Sequence, residues 1–223
     1  MRLGKSSTTT VSPPKAGLSR QNERSWRESL DWIERLVPPH VSIYMLEVDD
    51  DSRLGREKML GGVRYGAETT PSDGETAEMY EFGVERLDRL GIRRYEISNF
   101  ARAGFESVHN LKYWRFEPYA GFGSDAHSFD GQERWQNPES PAEYVAGSPT
   151  RQTTTADPGE EKFFVGLRLM DGIRPSLEEW RRFDAPIRRF VSEGLLESSD
   201  GMLRLTHRGV MLSNEVFQEF LSE

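Results

Sequence analysis

The chain has 223 residues, a formal net charge of −8, 30% charged and 35% apolar side chains, and no cysteine. The acidic balance argues against a general nucleic-acid or membrane-surface binder, and no apolar run approaches the roughly 18 residues that a membrane span requires. Without cysteine there is no disulfide, no thiolate nucleophile and no sulfur ligation of zinc or an ordinary iron–sulfur cluster by this chain, a usage that fits the cytoplasm.

Residues 1–20 hold four basic residues, no acidic ones and seven Ser or Thr. They read as a disordered leader that buries too little apolar area to fold; a transit peptide or a displaced start are the alternatives. From Asn22, a good N-cap, the spacing of Trp26, Leu30, Ile33 and Val37 predicts a helix that Pro38 and Pro39 end. The run from His40 to Glu47 is short and apolar, as a buried parallel strand would be. Asp49, Asp50 and Asp51 lack the alternating spacing of a calcium loop and read as a solvated charge run. A helix is predicted over 74–90 with Ala77, Tyr80, Val84 and Leu87 inward and Gly91 past its end. A strand over 94–98 follows, and strand–helix–strand in this order implies a right-handed crossover onto a parallel sheet. The predicted class is therefore α/β, the final part of a β/α sheet or open barrel whose strand ends point loops toward one ligand-binding face.

The organising stretch runs from Tyr95 to Phe129, with His109, Trp114 and His127 in it, and reads as a binding loop on a strand end. Gly121 and Gly123 would let backbone approach a ligand closely. His109, between a glycine-containing loop and aromatics, reads either as a histidine tied to a backbone carbonyl or as a haem ligand or contact, since imidazole suits iron and aromatics suit a porphyrin face. Tyr95 and Glu96 would point to opposite faces of a strand. No nucleophile, metal cage or carboxylate pair stands out, so no independent active site is expected.

Beyond Phe129, residues 133–136 suit a short strand and 141–146 a brief helix, and Gly147 to Gly159 reads as a linker. Phe163, Phe164, Leu167 and Met170 share a helix face. Ser176 and Glu179 form a capping box, a third helix runs from Pro186 to Glu193, and Asp200-Gly201 turns a hairpin. A last helix is predicted over 206–221. Helices followed by a two-stranded wing resemble a winged-helix module. With nine Lys plus Arg against twelve Asp plus Glu from residue 160 on, a packing or docking role outweighs DNA binding.

The runs GLSRQNERSWRESL, PPHVSIYMLEV, YEISNFARAGFESVHNLKYW, GFGSDAHSF and LRLTHRG closely resemble the HemW family from about Gly17 onward. These are radical S-adenosylmethionine proteins regarded as haem chaperones, related to oxygen-independent coproporphyrinogen III oxidase. The resemblance implies that His109, Asn110, Tyr113 and Trp114, the HNxxYW set, are the haem-binding candidates. It also implies that Glu47, at the end of the strand starting at Val41, and Ala126 with His127 would flank half of an S-adenosylmethionine pocket. The family's CxxxCxxC motif for a 4Fe-4S cluster has no counterpart here, its adenosylmethionine-binding aspartate falls on Pro13, and its GLPGQ is GLSRQ. The implied division is a leader over 1–20, the C-terminal part of a β/α barrel over 21–147, a linker over 148–159 and a winged-helix-like domain over 160–223. The implied function is haem binding and delivery to a haem-requiring acceptor protein. The alternatives are a coproporphyrinogen oxidase-like reaction with the cluster half on a separate N-terminal chain, or a truncated remnant without function.

Overall fold

A computed structural model describes residues 13–147, 152–155 and 157–221. The first twelve positions of the predicted leader, and residues 148–151 and 156 of the predicted linker, lie outside these. Two compact units divide the chain, one ending at Glu106 and one beginning at Ser107. Among the described residues no helix is long and apolar enough to cross a membrane.

In the first unit, β1 (Lys15–Ala16) leads into α1 (Glu23–Leu36). Asn22 caps α1 as predicted: its side chain accepts from the Ser25 N–H while Ser25 Oγ accepts from the Asn22 N–H, satisfying two otherwise orphaned donors. Trp26, Leu30 and Ile33 are buried along one face, and the chain turns at Val37 ahead of the two prolines. β2 (His40–Ser42) and β3 (Tyr44–Met45) follow, then α2 (Arg53–Met59), a 3-10 stretch over Arg64–Thr69 and α3 (Asp73–Arg89). A capping box between Ser72 and Glu75 starts α3. Of the predicted inner face, Tyr80 and Leu87 are buried and Ala77 and Val84 half-buried, with Thr76, Met79 and Gly83 completing the buried stripe.

The sheets correct the expected parallel arrangement. β4 (Arg93–Arg94) and β2 both run antiparallel to β5 (Asn99–Ala101), which lies between them. Of the predicted 94–98 strand only Arg94 is strand, and the rest is the turn of a hairpin: Tyr95 N–H donates to Asn99 O at 3.1 Å and Asn99 N–H to Glu96 O at 3.3 Å. Glu96, fully buried, holds this turn by accepting from the Ser98 N–H at 3.0 Å and from the Asn99 side-chain amide, which in turn accepts from Ser42 Oγ. A carboxylate tied to its own turn explains the reversal that apolar patterning alone did not show. The expected single strand 41–47 breaks after Ser42, where Ile43 points into the core and its N–H donates to Ser98 O at 2.9 Å. Parallel pairing does occur, but between β1 and β3 across α1.

His40 and Tyr95 meet in this unit, His40 Nε2 lying 3.0 Å from Tyr95 Oη. Burial holds the His40 imidazolium below its ordinary pKa, with Glu106 opposing the shift. Above about pH 6.5 the histidine is neutral in the folded and unfolded chain and contributes nothing; below it the unfolded chain takes the proton first, so stability falls until the folded form also protonates. His40→Gln should therefore show a smaller drop in melting temperature between pH 7 and pH 5 than the parent. An identical drop would remove His40 from the acid response.

The second unit contains α4 (Val108–Trp114), β6 (His127–Phe129), β7 (Glu133–Gln136), α5 (Pro141–Val145), β8 (Gln152–Thr155) and α6 (Pro158–Gly166). After these come α7 (Leu177–Arg182), α8 (Asp184–Ser192), β9 (Leu196–Ser199), β10 (Met202–Leu205), α9 (His207–Met211) and α10 (Ser213–Gln218). β6, β7 and β8 form an antiparallel sheet in that order, so residues 152–155 of the predicted linker are strand, covering the edge that β7 would otherwise present. The Ser176–Glu179 capping box and the Asp200-Gly201 hairpin stand as predicted, with φ of 52° and 75° at the turn residues. The predicted last helix is two, broken at Leu212. Phe163, Phe183, Phe190 and Phe220 form the aromatic core here, with Phe163 and Phe220 stacked at 4.8 Å.

Candidate functional site

HNLKYW is not a loop. Ser107 caps it, its hydroxyl accepting from the Asn110 N–H at 3.3 Å, and the run forms α4. Helical spacing then sets its faces: residues four apart lie one above the other. His109 and Tyr113 share one face with their rings edge to face at 4.8 Å, while Asn110 and Trp114 share the next. His109 is exposed and the other three are half-buried. α4 thus gathers the whole set on one short helix.

Behind Tyr113 the packing is aromatic and then ionic. Tyr119 stands edge to face against Tyr113 at 4.5 Å, and its backbone is bridged to Phe129 by hydrogen bonds of 2.8 and 2.9 Å. Arg134 on β7 donates to Tyr119 Oη at 2.9 Å and grips Glu161 of α6 with two guanidinium nitrogens, Nε to Oε1 at 2.8 Å. The Glu161 hydrogen bond is the main reason Arg134 holds its proton more tightly than usual. Burial pushes the Tyr119 hydroxyl above its ordinary pKa despite the opposing guanidinium, so it stays protonated.

Trp114 lines a groove of about 540 Å³ with Tyr113, Arg134, Glu161 and Phe164. The Arg168 guanidinium lies 4.6 Å from the indole centroid. The indole N–H is buried without a hydrogen-bond partner among the described residues, a cost of about 1–3 kcal/mol. The groove's carboxylates are matched: Glu161 by Arg134, and Asp157 and Glu160 by Arg182. A hollow of about 620 Å³ in the first unit, floored by Trp26, Met79 and Phe82, is rimmed by Glu68, Glu75 and Glu78, with Glu23 paired to Arg27 and no basic side chain in the lining. That rim repels a dianionic tetrapyrrole, so the α4 groove is the better candidate.

Glu47 lies past β3 in the first unit and is exposed. Ala126 and His127 belong to the second, half-buried and exposed respectively, with His127 opening β6. The close approach expected at Gly121 is made by the chain itself: a Cβ there would collide with the His127 carbonyl. Tyr119, Arg134 and Glu161 were not legible as site residues, because Arg134 and Glu161 are 27 positions apart and nothing in their local sequence signals the pairing.

Coproporphyrinogen III oxidase (HemN) from Escherichia coli, a radical SAM enzyme, has a similar structure, with a TM-score of 0.65 at 14% identity over 92% of this chain and 53% of that one. This chain therefore shares that protein's fold across the matched part, a mixed helix and sheet arrangement consistent with the α/β class. A family model described as the HemN C-terminal domain matches residues 154–212. The heme chaperone HemW of Bacillus subtilis is 35% identical over 222 residues, covering 93% of this chain and 57% of that protein. HemW of Mycobacterium tuberculosis is 33% identical, covering 86% and 50%, and the mitochondrial radical S-adenosyl methionine domain-containing protein 1 of Bos taurus is 30% identical, covering 89% and 48%. The chain belongs to the HemW-like family and spans about half the length of these relatives. Its donor set holds no cysteine, so thiolate ligation of an iron–sulfur cluster does not fit its residues.

Proposed function

We propose that the chain binds haem as cargo on α4 and passes it to a haem-requiring acceptor protein. The observation that carries this is the exposed His109 imidazole set edge to face against Tyr113, on the helix that also carries Asn110 and Trp114. Imidazole is a haem-iron ligand and the aromatic rings suit the porphyrin face. The names of the B. subtilis and M. tuberculosis relatives, heme chaperones, support the same cargo. Glu47, Ala126 and His127 would flank S-adenosylmethionine only where a complementary half supplies the cluster. The coproporphyrinogen oxidase-like alternative needs that same half.

On this reading residues 21–147 are the barrel part and 160–223 the terminal module, joined through 148–159. The module is winged-helix-like, with α6, α7 and α8 before the β9–β10 wing. Its arginines support docking over nucleic-acid binding, since Arg182, Arg188, Arg189 and Arg204 all pair with carboxylates of the chain. A protein without disulfides suits such work in the cytoplasm.

A hemin titration followed at the Soret band tests the reading. The parent should saturate at one equivalent, and His109→Ala should weaken binding at least about tenfold, roughly 1.4 kcal/mol. Equal affinities would reject His109 as ligand.

A further inference from the structure

We propose that Tyr119 and Arg134, both outside the HNxxYW run, are positioning residues that set the orientation of the His109 imidazole; this rests on the haem reading above. Histidines that ligate metals usually have the ring fixed by a hydrogen bond from the second nitrogen. The His109 imidazole makes no such bond among the described residues, and what orients it is the edge-to-face contact with Tyr113. That contact is directional, because a ring edge is electropositive and a ring face electronegative.

Tyr113 can hold the imidazole only if its own ring is held. Its support is Tyr119, 4.5 Å away at an interplanar angle of 69°. Tyr119 is pinned at both ends, by the backbone bridge to Phe129 and by the Arg134 hydrogen bond to its hydroxyl. Arg134 is fixed by the two-pronged grip on Glu161 and by the Phe129 ring, whose centroid lies 4.7 Å from the guanidinium carbon. The series Glu161–Arg134–Tyr119–Tyr113–His109 therefore carries rigidity from the sheet and α6 to a surface side chain. An imidazole restricted before ligation loses less rotational freedom on binding iron, which is a gain in affinity without a new contact.

The test uses the full chain, ferric haem, and two readouts: the hemin dissociation constant and the ferric-haem electron paramagnetic resonance signal at saturation. Tyr119→Leu removes the aromatic ring and should weaken binding about tenfold, near 1.4 kcal/mol, while broadening or splitting the ferric-haem signal. Tyr119→Phe keeps the ring and loses only the Arg134 bond, so it folds as the parent does and should show an intermediate effect of about threefold with the same broadening. A merely structural role would lower the melting temperature and leave the signal of the haem-bound protein unchanged. Parent-like affinity and signal in Tyr119→Phe, with His109→Ala still defective, would overturn the positioning role and leave the haem reading standing. Parent-like binding by His109→Ala would overturn the haem reading itself.

Discussion

Trp26→Ala should destabilise the first unit by about 3–5 kcal/mol, a large share of the roughly 5–15 kcal/mol that holds a typical domain folded. Trp26 is 1% exposed and among the largest fully buried side chains of the chain. Its indole N–H donates to Met79 O at 2.7 Å, so the ring ties α1 to α3 by both area and a hydrogen bond. Gly83 shows how closely α3 fits that ring: a Cβ there would lie 3.1 Å from the indole and 3.2 Å from Ile43 Cδ1. Alanine leaves a cavity that neither helix can close, because α3 is also tied to the turn between β4 and β5 through Tyr80, whose hydroxyl donates to Ile97 O at 2.5 Å. Urea denaturation followed by far-UV circular dichroism is the check, with Trp26→Phe alongside. The phenylalanine variant keeps much of the apolar area and loses the hydrogen bond, so it should lose distinctly less. A loss below about 1 kcal/mol for the alanine variant would show that the α1–α3 contact is not what stabilises this unit.

The same residues show what the sequence could reveal. Trp26, Leu30 and Ile33 repeat at helical spacing behind Asn22, and Ser176 sits three residues before Glu179; both are local patterns, and both helices begin where those caps place them. Asp200-Gly201 is likewise local, since the left-handed turn it makes follows from residue type. The reversal at Glu96 was not legible, because a buried carboxylate bonding its own turn looks like a polar residue within an apolar strand. HNLKYW looks like loop beside its glycine-containing surroundings, although Ser107 offers a cap and the run lacks a breaker. The groove depends on pairings such as Arg134 with Glu161, which only the folded chain brings together. Local signals place most helices and one hairpin; the sheet order and the support of the site are long-range and arise only in the folded chain.

Gly121→Ala should damage the site from a position that contacts no ligand, at a cost of about 3 kcal/mol. The added Cβ would overlap the His127 carbonyl oxygen and stand 3.1 Å from Ala126 Cβ. Backbone cannot rotate out of the way as a flexible side chain would, so the 121–127 turn must open. Opening pulls on two bonds that close it, from the Gly121 N–H to Ser128 Oγ at 2.9 Å and from Asn137 Nδ2 to Gly123 O at 2.9 Å. It also displaces β6 from Tyr119, which Phe129 holds by the backbone bridge. Tyr119 is the ring behind Tyr113, so hemin affinity should fall with the turn even though His109 and its helix are untouched in sequence. Gly123→Ala is the contrast: a Cβ there meets nothing within 4 Å, and the φ of 106° leaves only backbone strain, so its loss should be smaller. Paired melts and hemin titrations of the two variants separate collision from strain. If Gly123→Ala proves as damaging as Gly121→Ala in both measurements, strain in the turn dominates, and the packing of Gly121 against His127 is not what sets the position of β6.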